Sequence, residues 1–234
     1  IDDTCRAYRL PCISGKDSMK NDATLNGEKI SVPPTILFSL VGNHPDVRKA
    51  VSSDFKAPGD AIYLLGETHQ ELGASELAFM LSDEGSGGIG GAVPEIDTSR
   101  NLAMYRALTS AMGESLVRSA HDCSDGGLAT ALAECCFGSD SGADLDLAPL
   151  WRDCETMDKW GALFGESLGR ILVSIRQSDR DAFEQSMAGH ACHHIGTVST
   201  GDTISFSRGE KALLTASMRV LREAWKGALD GGAV

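Results

Sequence analysis

Beyond Asp60, stretches with strand character alternate with stretches whose apolar residues recur at helical spacing, and this alternation restricts the possible folds more than any other feature. It predicts strands at residues 61–66, 119–121, 143–147, 170–175, 195–199 and 203–206. It predicts helices at residues 71–81, 98–118, 128–137, 157–164, 179–187 and 212–228. The last two strands, with Thr200-Gly201-Asp202 between them, indicate a hairpin. Strands and helices in this order predict an α+β fold, an α/β sandwich.

The N-terminal part of the chain has a different pattern. Residues 1–10 have the pattern of the end of a helix, and residues 11–13 that of a short strand. The continuous apolar run at residues 36–41 predicts a buried strand, which Pro33 and Pro34 mark as an edge strand. A polar segment then ends in Pro58-Gly59-Asp60. We therefore expect three parts, residues 1–42, a connecting segment at 43–59, and a domain at 60–234.

Composition excludes several classes of protein. The net charge of −12 and the pI of about 4.9 argue against a nucleic-acid partner, because duplex binding needs clustered Lys and Arg. No apolar run approaches the roughly 20 residues of a membrane span. The seven cysteines are irregularly spaced, without a CxxC pair, which favours reduced thiols in a cytoplasmic protein.

The sharpest chemical motif is HDCSDGG at residues 121–127, directly before a predicted helix. A helix N-terminus with unpaired N–H groups suits phosphate oxygens, and Gly126 and Gly127 let the backbone approach a bulky anion. Asp122 suits magnesium, which favours one or two carboxylates together with phosphate and water. Ser124 suits a phosphate contact. The alternative is that Ser124 or Asp125 only caps the helix.

Two further polar turns follow predicted elements. In SGKDSM at residues 14–19, Gly15, Lys16, Asp17 and Ser18 suit a phosphorylated ligand with a metal, although the bare pattern is by default that of an ordinary polar turn. In FGESLGR at residues 164–170, Glu166 suits a sugar hydroxyl or an ammonium group, or is a solvated turn residue.

Two other motifs carry less weight. The Gly-rich stretch at residues 85–91 lacks the Gly-Lys-Ser/Thr ending of a P-loop and indicates a flexible connection. A metal-binding cluster is suggested by three histidines near Cys192, namely His190, His193 and His194. Their position in a polar stretch between a predicted helix and a predicted strand argues against it.

Together, SGKDSM, HDCSDGG and FGESLGRILVSI, in this order and spacing, resemble the formylglycinamide ribonucleotide amidotransferases (phosphoribosylformylglycinamidine synthases) of purine biosynthesis. HDxSDGG-like loops occur across part of the aminoimidazole ribonucleotide synthetase-like superfamily, whereas SGKDSM points to the amidotransferases. The resemblance covers essentially the whole chain. It implies an ATP-dependent ligase, with glutamine as the amide donor, that converts formylglycinamide ribonucleotide to the amidine.

The resemblance also implies a domain arrangement. Family enzymes carry two copies of an N-terminal plus C-terminal domain pair, and this chain is similar to the end of the second copy. Residues 1–42 would be a remnant of the N-terminal synthetase domain and residues 60–234 the C-terminal domain. We then expect the remaining synthetase domains and a glutaminase domain or subunit as partners, and no activity from this chain alone. The apolar strand would be poorly protected, or covered in a homodimer through residues 30–42.

The resemblance assigns roles to single residues. Asp122 matches a magnesium ligand and Ser124 a nucleotide contact, to ATP or to a tightly held structural ADP. Gly15 and Ser18 match positions near nucleotide and substrate phosphate. Leu168 replaces a common glutamine, which leaves open whether Glu166 and Ser167 bind substrate. Two alternatives remain, a non-catalytic nucleotide-binding structural domain and another ATP-using member such as a small-molecule kinase.

Overall fold

The computed structural model describes residues 2–16, 22–31, 36–82 and 91–227. The chain divides into two compact units, Ile1–Arg48 and Lys49–Val234. Below, the first is called the N-terminal unit and the second the C-terminal unit.

The N-terminal unit contains a short helix and a small hairpin. Helix α1 spans Asp2–Tyr8, and strands β1 and β2 span Ala23–Leu25 and Glu28–Ile30. Asn26 and Gly27 join these strands with φ of 53° and 85°, the left-handed values that a two-residue hairpin turn needs. Every residue of both strands is exposed, so the hairpin buries no core of its own.

In the C-terminal unit, the described residues form a seven-stranded sheet with helices on both faces. The strands are β3 Ala61–Leu65, β4 Val117–Asp122, β5 Gly142–Asp146, β6 Ile171–Ile175, β7 Cys192–Ser199, β8 Thr203–Arg208 and β9 Lys211–Ser217. The helices are α2 Glu76–Leu81, α3 Thr98–Gly113, α4 Gly127–Phe137, α5 Lys159–Phe164, α6 Arg180–Ser186 and α7 Met218–Gly227. Short 3-10 helices occupy Ala148–Arg152 and Gln177–Asp179, and another, at Val47–Lys49, spans the point in the chain where the two units divide.

The strand order is β4-β6-β3-β7-β5-β8-β9, and all neighbours are antiparallel except β5 and β8, which run parallel. Strand β3 lies inside the sheet, paired with β6 on one side and β7 on the other. Successive side chains of a strand point to opposite faces. Ile62 and Leu64 therefore join the core under α4 and α5, whereas Ala61, Tyr63 and Leu65 join the core under α3 and α6. This two-sided burial explains the continuous apolar sequence of β3, and the mixed α and β architecture confirms the predicted fold class.

The prediction of a buried strand at residues 36–41 is wrong. This run has no regular structure, and Leu37 and Val41 are 87% and 94% exposed. A strand forms only where a neighbouring strand takes up its N–H and C=O groups, and no strand among the described residues pairs with this run. The short strand predicted at residues 11–13 is also absent from the described structure.

Two predicted helices have the wrong ends. Helix α2 begins at Glu76 instead of residue 71, because the Ser75 side chain accepts a hydrogen bond from Ala78 N and caps the helix there. Helix α3 ends at Gly113 instead of residue 118, because Ser115 takes a left-handed conformation and turns the chain into β4. Within the described residues, no helix has the length and apolar character that crossing a membrane requires.

The predicted hairpin of residues 195–199 and 203–206 is also wrong. Both strands exist as β7 and β8, but β5 lies between them and pairs with each. The predicted helix at residues 212–228 is split in the structure, because its first part is β9, which pairs with β8 across the turn at Gly209. The alternation of polar and apolar residues identifies a strand but does not identify the strands that pair with it. The wrong hairpin prediction arises for this reason.

Candidate functional site

Two of the three sequence motifs meet at one edge of the sheet. Strand β4 ends at Asp122, which pairs with Ile171 at the start of β6. The HDCSDGG loop therefore leaves the sheet beside the FGESLGR loop. The Cys123 backbone N–H continues the pairing beyond the strands, donating to the Arg170 carbonyl oxygen at 3.0 Å. The sheet register thus places the 123–126 loop against the 165–170 loop.

Glycines allow the close approach of these loops. Gly126 and Gly127 have φ of 77° and 64°, in the left-handed region that glycine adopts at little cost. A Cβ atom on Gly127 would lie 2.5 Å from the Gly165 carbonyl oxygen, so a side chain there cannot fit without movement. Gly126 is the N-cap of α4, and no side chain caps this helix. In this structure, Gly127 is therefore needed for backbone shape and for contact between the loops.

Glu166 joins two helix N-termini. Its Oε1 atom accepts hydrogen bonds from Gly126 N, before α4, and from Glu76 N, in the first turn of α2, both at 2.9 Å. A carboxylate at a helix N-terminus interacts favourably with the helix dipole. The Glu166 backbone N–H donates in turn to the Glu71 carbonyl oxygen at 3.1 Å. Glu166 thus holds the HDCSDGG loop in place through its side chain.

Arg170 lies beneath the same loop, and the sequence gives no sign of its role. Its side chain is 1% exposed, and the guanidinium donates to the carbonyl oxygens of Ser167 and Gly165 and to Thr68 Oγ1. Burial lowers the pKa of Arg170 from its ordinary value. Ser167 is buried as well, and its hydroxyl accepts from His69 N at 3.0 Å. These contacts fix the backbone of the FGESLGR loop from inside.

The surface of the site is formed by Asp122 and its neighbours. The Asp122 side chain is 73% exposed, and its Oδ2 atom accepts a hydrogen bond from the Ser124 hydroxyl. This hydrogen bond lowers the pKa of the Asp122 carboxyl group, which therefore stays ionised at neutral pH. His121 lies behind it, with Nδ1 2.7 Å from the Asp122 carbonyl oxygen and Nε2 3.1 Å from Glu134 Oε2. The loop thus presents an ionised carboxylate and a hydroxyl to solvent.

Three backbone donors of the loop are already used. Cys123 N donates to Arg170, Gly126 N to Glu166, and Gly127 N to the Ser124 carbonyl oxygen. The expectation that these N–H groups cradle a phosphate therefore needs the loop to rearrange. The exposed groups of this conformation suit a cation better than an anion.

The donor set can be tested against magnesium. Among the described residues, no three His, Cys, Asp or Glu side chains gather into a group that could hold a metal by themselves. Asp122 supplies an open, ionised carboxylate. One carboxylate fits magnesium, which keeps most of its coordination for water and phosphate oxygens, and does not fit a structural zinc site.

A cavity of about 460 Å³ opens beside the Ser167 side of the loop. Its wall carries charges of both signs, and this feature is not evident from the sequence. The residues that line it include Glu67, Glu71, Arg100, Asn101, Ser167 and His190. A ligand of this cavity would meet carboxylates, a guanidinium and an amide.

The other candidate residues belong to the N-terminal unit, to other parts of the C-terminal unit, or to segments outside the described residues. Gly15 and Lys16 are exposed in the N-terminal unit, and Asp17 and Ser18 fall outside the described residues, as do residues 85–90 of the Gly-rich stretch. The three histidines near Cys192 do not gather. The His193 Nε2 atom contacts the Asp153 carboxylate at 3.0 Å, while the His194 ring packs on Tyr63.

Comparison with known proteins places the fold. The chain resembles phosphoribosylformylglycinamidine synthase II from Thermotoga maritima with a TM-score of 0.63 and 17% identity, over 75% of this chain and 28% of that protein. It resembles T. maritima PurL complexed with FGAR with a TM-score of 0.65 and 18% identity, over 75% of this chain and 30% of that one. The hydrogenase maturation protein HypE in complex with ATP gives a TM-score of 0.51 and 18% identity, over 73% of this chain and 54% of that protein.

The chain spans less than a third of the length of these synthases, and at such identities the likeness concerns the fold. Residues 57–208, most of the C-terminal unit, match the family described as AIR synthase related protein, C-terminal domain. The match includes both loops of the site and the strands that hold them. This chain therefore belongs to the family of the AIR synthase related protein, C-terminal domain.

Proposed function

We propose that this chain is part of an ATP-dependent ligase that converts formylglycinamide ribonucleotide and glutamine-derived ammonia to formylglycinamidine ribonucleotide. The observation that carries the proposal is the exposed, ionised Asp122, which is hydrogen-bonded to Ser124. Both lie in a loop that Glu166 holds at the start of α4 through Gly126 N. Membership of the family and the fold likeness to synthases solved with ATP and with FGAR support it. The SGKDSM motif favours the amidotransferases within the superfamily.

In this proposal, Asp122 holds magnesium and Ser124 contacts the nucleotide. Magnesium held there would neutralise phosphate charge, which together with positioning is what phosphoryl transfer requires. Glu166 and Arg170 position the loop, since Glu166 Oε1 and the Arg170 guanidinium are hydrogen-bonded to protein groups. Gly15, Lys16, Asp17 and Ser18 are proposed contacts of nucleotide or substrate phosphate from the synthetase N-terminal domain.

The rest of the machinery is proposed to lie outside this chain. Residues 60–234 would form the synthetase C-terminal domain, residues 1–42 the end of an N-terminal domain, and other domains or subunits would supply ammonia in the cytoplasm. We therefore expect no sustained ADP release from residues 1–234 given ATP, formylglycinamide ribonucleotide and ammonia. Continuous turnover in a coupled ADP-release assay would overturn this division of labour.

Magnesium-dependent nucleotide binding tests the site itself. Titration calorimetry with ATP and ADP, with and without Mg²⁺, should show weaker binding for Asp122→Asn, by roughly ten- to a hundred-fold, because one charge-assisted contact is lost. Asp125→Asn is the matched control, since Asp125 is an exposed carboxylate of the same loop. Equal affinities for the wild type and Asp122→Asn would assign Asp122 a structural role.

One alternative is a nucleotide-binding structural domain without catalysis. In that case ADP would co-purify with the chain and exchange slowly. Release of the bound nucleotide by acid and its chromatographic identification would distinguish the two. Retained ADP that never turns over in the assembled enzyme favours the structural domain, whereas exchange and turnover favour the catalytic one.

A further inference from the structure

Two cysteines of the N-terminal unit lie next to each other. The Sγ atoms of Cys5 and Cys12 are 3.7 Å apart, with Cys12 exposed and Cys5 partly buried. Both are free thiols, and the contact lies within one short segment of chain. Neither residue belongs to the site at Asp122.

The end of helix α1 creates this proximity. Leu10 N donates to the Cys5 carbonyl oxygen at 2.9 Å, and Arg9 N donates to the Arg6 carbonyl oxygen at 3.2 Å. Arg9 has φ of 56°, so this is a Schellman cap with a left-handed residue after the helix. The cap reverses the chain, and the residues that follow return alongside the helix. Cys12 therefore meets Cys5 through a backbone geometry that hydrogen bonds define.

We propose that Cys5 and Cys12 form a redox-active pair that closes to an intramolecular disulfide when a low-molecular-weight disulfide is the oxidant. Their sulfurs need to approach from 3.7 Å to roughly 2.0 Å, the length of a disulfide bond. The cross-link would fix the cap of α1 and restrain the chain two residues before Ser14, Gly15 and Lys16.

The reaction follows ordinary thiol–disulfide exchange. The Cys12 thiolate, the exposed member, attacks one sulfur of the oxidant, forms a mixed disulfide and releases one thiolate. Cys5 then attacks the Cys12 sulfur, the mixed disulfide breaks, and a second thiolate leaves. The two protons of the protein thiols pass to the two released thiolates. The protein is oxidised by two electrons, and one disulfide molecule is reduced to two thiols.

The other cysteines that the structure describes are poor competitors. Burial raises the pKa of Cys123 to about 11 and of Cys136 to about 12, which keeps these thiols protonated. Cys135 is buried in the same core, and burial raises the pKa of the partly buried Cys192 to about 12. Cys154 is partly exposed, but its sulfur lies near Thr156 Oγ1 and near no other described cysteine sulfur within hydrogen-bond distance. Cys154 is therefore the natural control.

The test uses the full chain at a series of glutathione to glutathione-disulfide ratios, with alkylation of free thiols and peptide mass mapping. We expect two of the seven thiols of the chain, those of Cys5 and Cys12, to become resistant to alkylation. The mass of the chain should fall by that of two hydrogens, and a non-reducing gel should show no intermolecular bands. In Cys5→Ser, Cys12 lacks its resolving thiol and should accumulate a glutathione adduct. In Cys154→Ser, the wild-type disulfide should form unchanged.

Two results would overturn the proposal. One is alkylation of Cys5 and Cys12 to the same extent as Cys154 at every ratio. The other is a Cys5→Ser variant whose Cys12 stays unmodified while the wild-type chain is oxidised at other cysteines. Circular dichroism of each variant, compared with the wild type, checks that the substitution leaves the chain folded, so that lost oxidation is not attributed to unfolding.

Discussion

Two apolar segments of this chain have similar sequences and opposite environments. Strand β3, with the sequence AIYLL, has no residue more than 1% exposed. The run at residues 36–41, with the sequence ILFSLV, has no regular structure, and its large apolar side chains are between 59% and 94% exposed. Apolar composition is therefore not what makes a segment a strand of this molecule.

The difference lies in what surrounds each segment. Strand β3 has β6 and β7 as hydrogen-bonding neighbours and helices over both faces. Among the described residues, no strand pairs with residues 36–41 and no helix covers them. A contiguous exposed apolar patch of this kind is typical of an interaction surface. This agrees with the proposal that the partner elements belong to domains beyond the chain.

The largest expected effect comes from matched leucine substitutions in the two segments. Leu64→Ala removes a fully buried side chain from the core under α4 and should cost about 2 to 5 kcal/mol of unfolding free energy. Leu37→Ala removes an 87% exposed side chain and should change the unfolding free energy by no more than about 0.5 kcal/mol. Urea unfolding followed by circular dichroism measures both.

Tryptophan fluorescence refines this measurement. All three tryptophans, Trp151, Trp160 and Trp225, lie in the C-terminal unit, so fluorescence reports that unit alone. A destabilisation of similar size in both variants would contradict the contrast between the segments.

The same contrast between a packed and an open position exists at two glycines within the C-terminal unit. Gly127 and Gly209 have φ of 64° and 58°, so alanine at either carries a left-handed penalty of about 1 kcal/mol. Only at Gly127 does the new Cβ meet the backbone, at Gly165, whereas at Gly209 nothing lies within 4 Å. We expect Gly127→Ala to cost about 2 to 4 kcal/mol and Gly209→Ala about 1 kcal/mol.

Chemical denaturation of the two glycine variants measures this difference. Calorimetry with nucleotide then shows whether moving the Gly165 loop also weakens binding at Asp122. Equal stabilities of the variants would mean that the two loops separate easily and that their contact contributes little.

Much of the C-terminal unit is predictable from local pattern. Strand β3, strand β6 and helix α4 lie within a residue of their predicted positions, because each has a clear apolar pattern between polar turns. The pairing of β5 between β7 and β8 is not predictable in this way, because it depends on residues distant in sequence. The same holds for the site. The motif drew attention to Asp122 and Ser124, whereas the functions of Glu166 and Arg170 follow from contacts that only the folded chain creates.

A smaller effect is expected from pH, and it concerns the face of β3 under α6. Burial lowers the pKa of His194, whose ring packs on Tyr63 and whose Nε2 atom is buried without a hydrogen-bond partner among the described residues. Arg180 adds to this lowering, while Glu184 and a backbone hydrogen bond to Gly196 oppose it. The folded chain therefore binds a proton at His194 less readily than the unfolded chain does.

The sign of the pH dependence follows. Above the unfolded histidine pKa of about 6.5 the contribution of His194 is fully present, and it is lost as the pH falls below that value, because the unfolded state takes up the proton first. Unfolding free energies between pH 7.5 and 5 should fall less steeply for His194→Gln than for the wild type. His44→Gln, at an exposed histidine of the N-terminal unit, controls for the loss of one imidazole. Parallel profiles for His194→Gln and the wild type would assign the acid sensitivity to other groups.

The smallest effect on stability, and the most direct comparison of the two segments, comes from backbone hydrogen exchange. The amides of β3 are paired within the chain and should exchange slowly at every protein concentration. The amides of residues 36–41 should exchange rapidly in dilute solution, or become protected as the concentration rises if copies associate through residues 30–42. Leu40→Lys places a charge on the exposed apolar run, so it should abolish any such concentration dependence and leave the unfolding free energy of the C-terminal unit unchanged. Strong protection of residues 36–41 in a proven monomer, independent of concentration, would show that the chain itself covers this run, and the contrast with β3 would then be wrong.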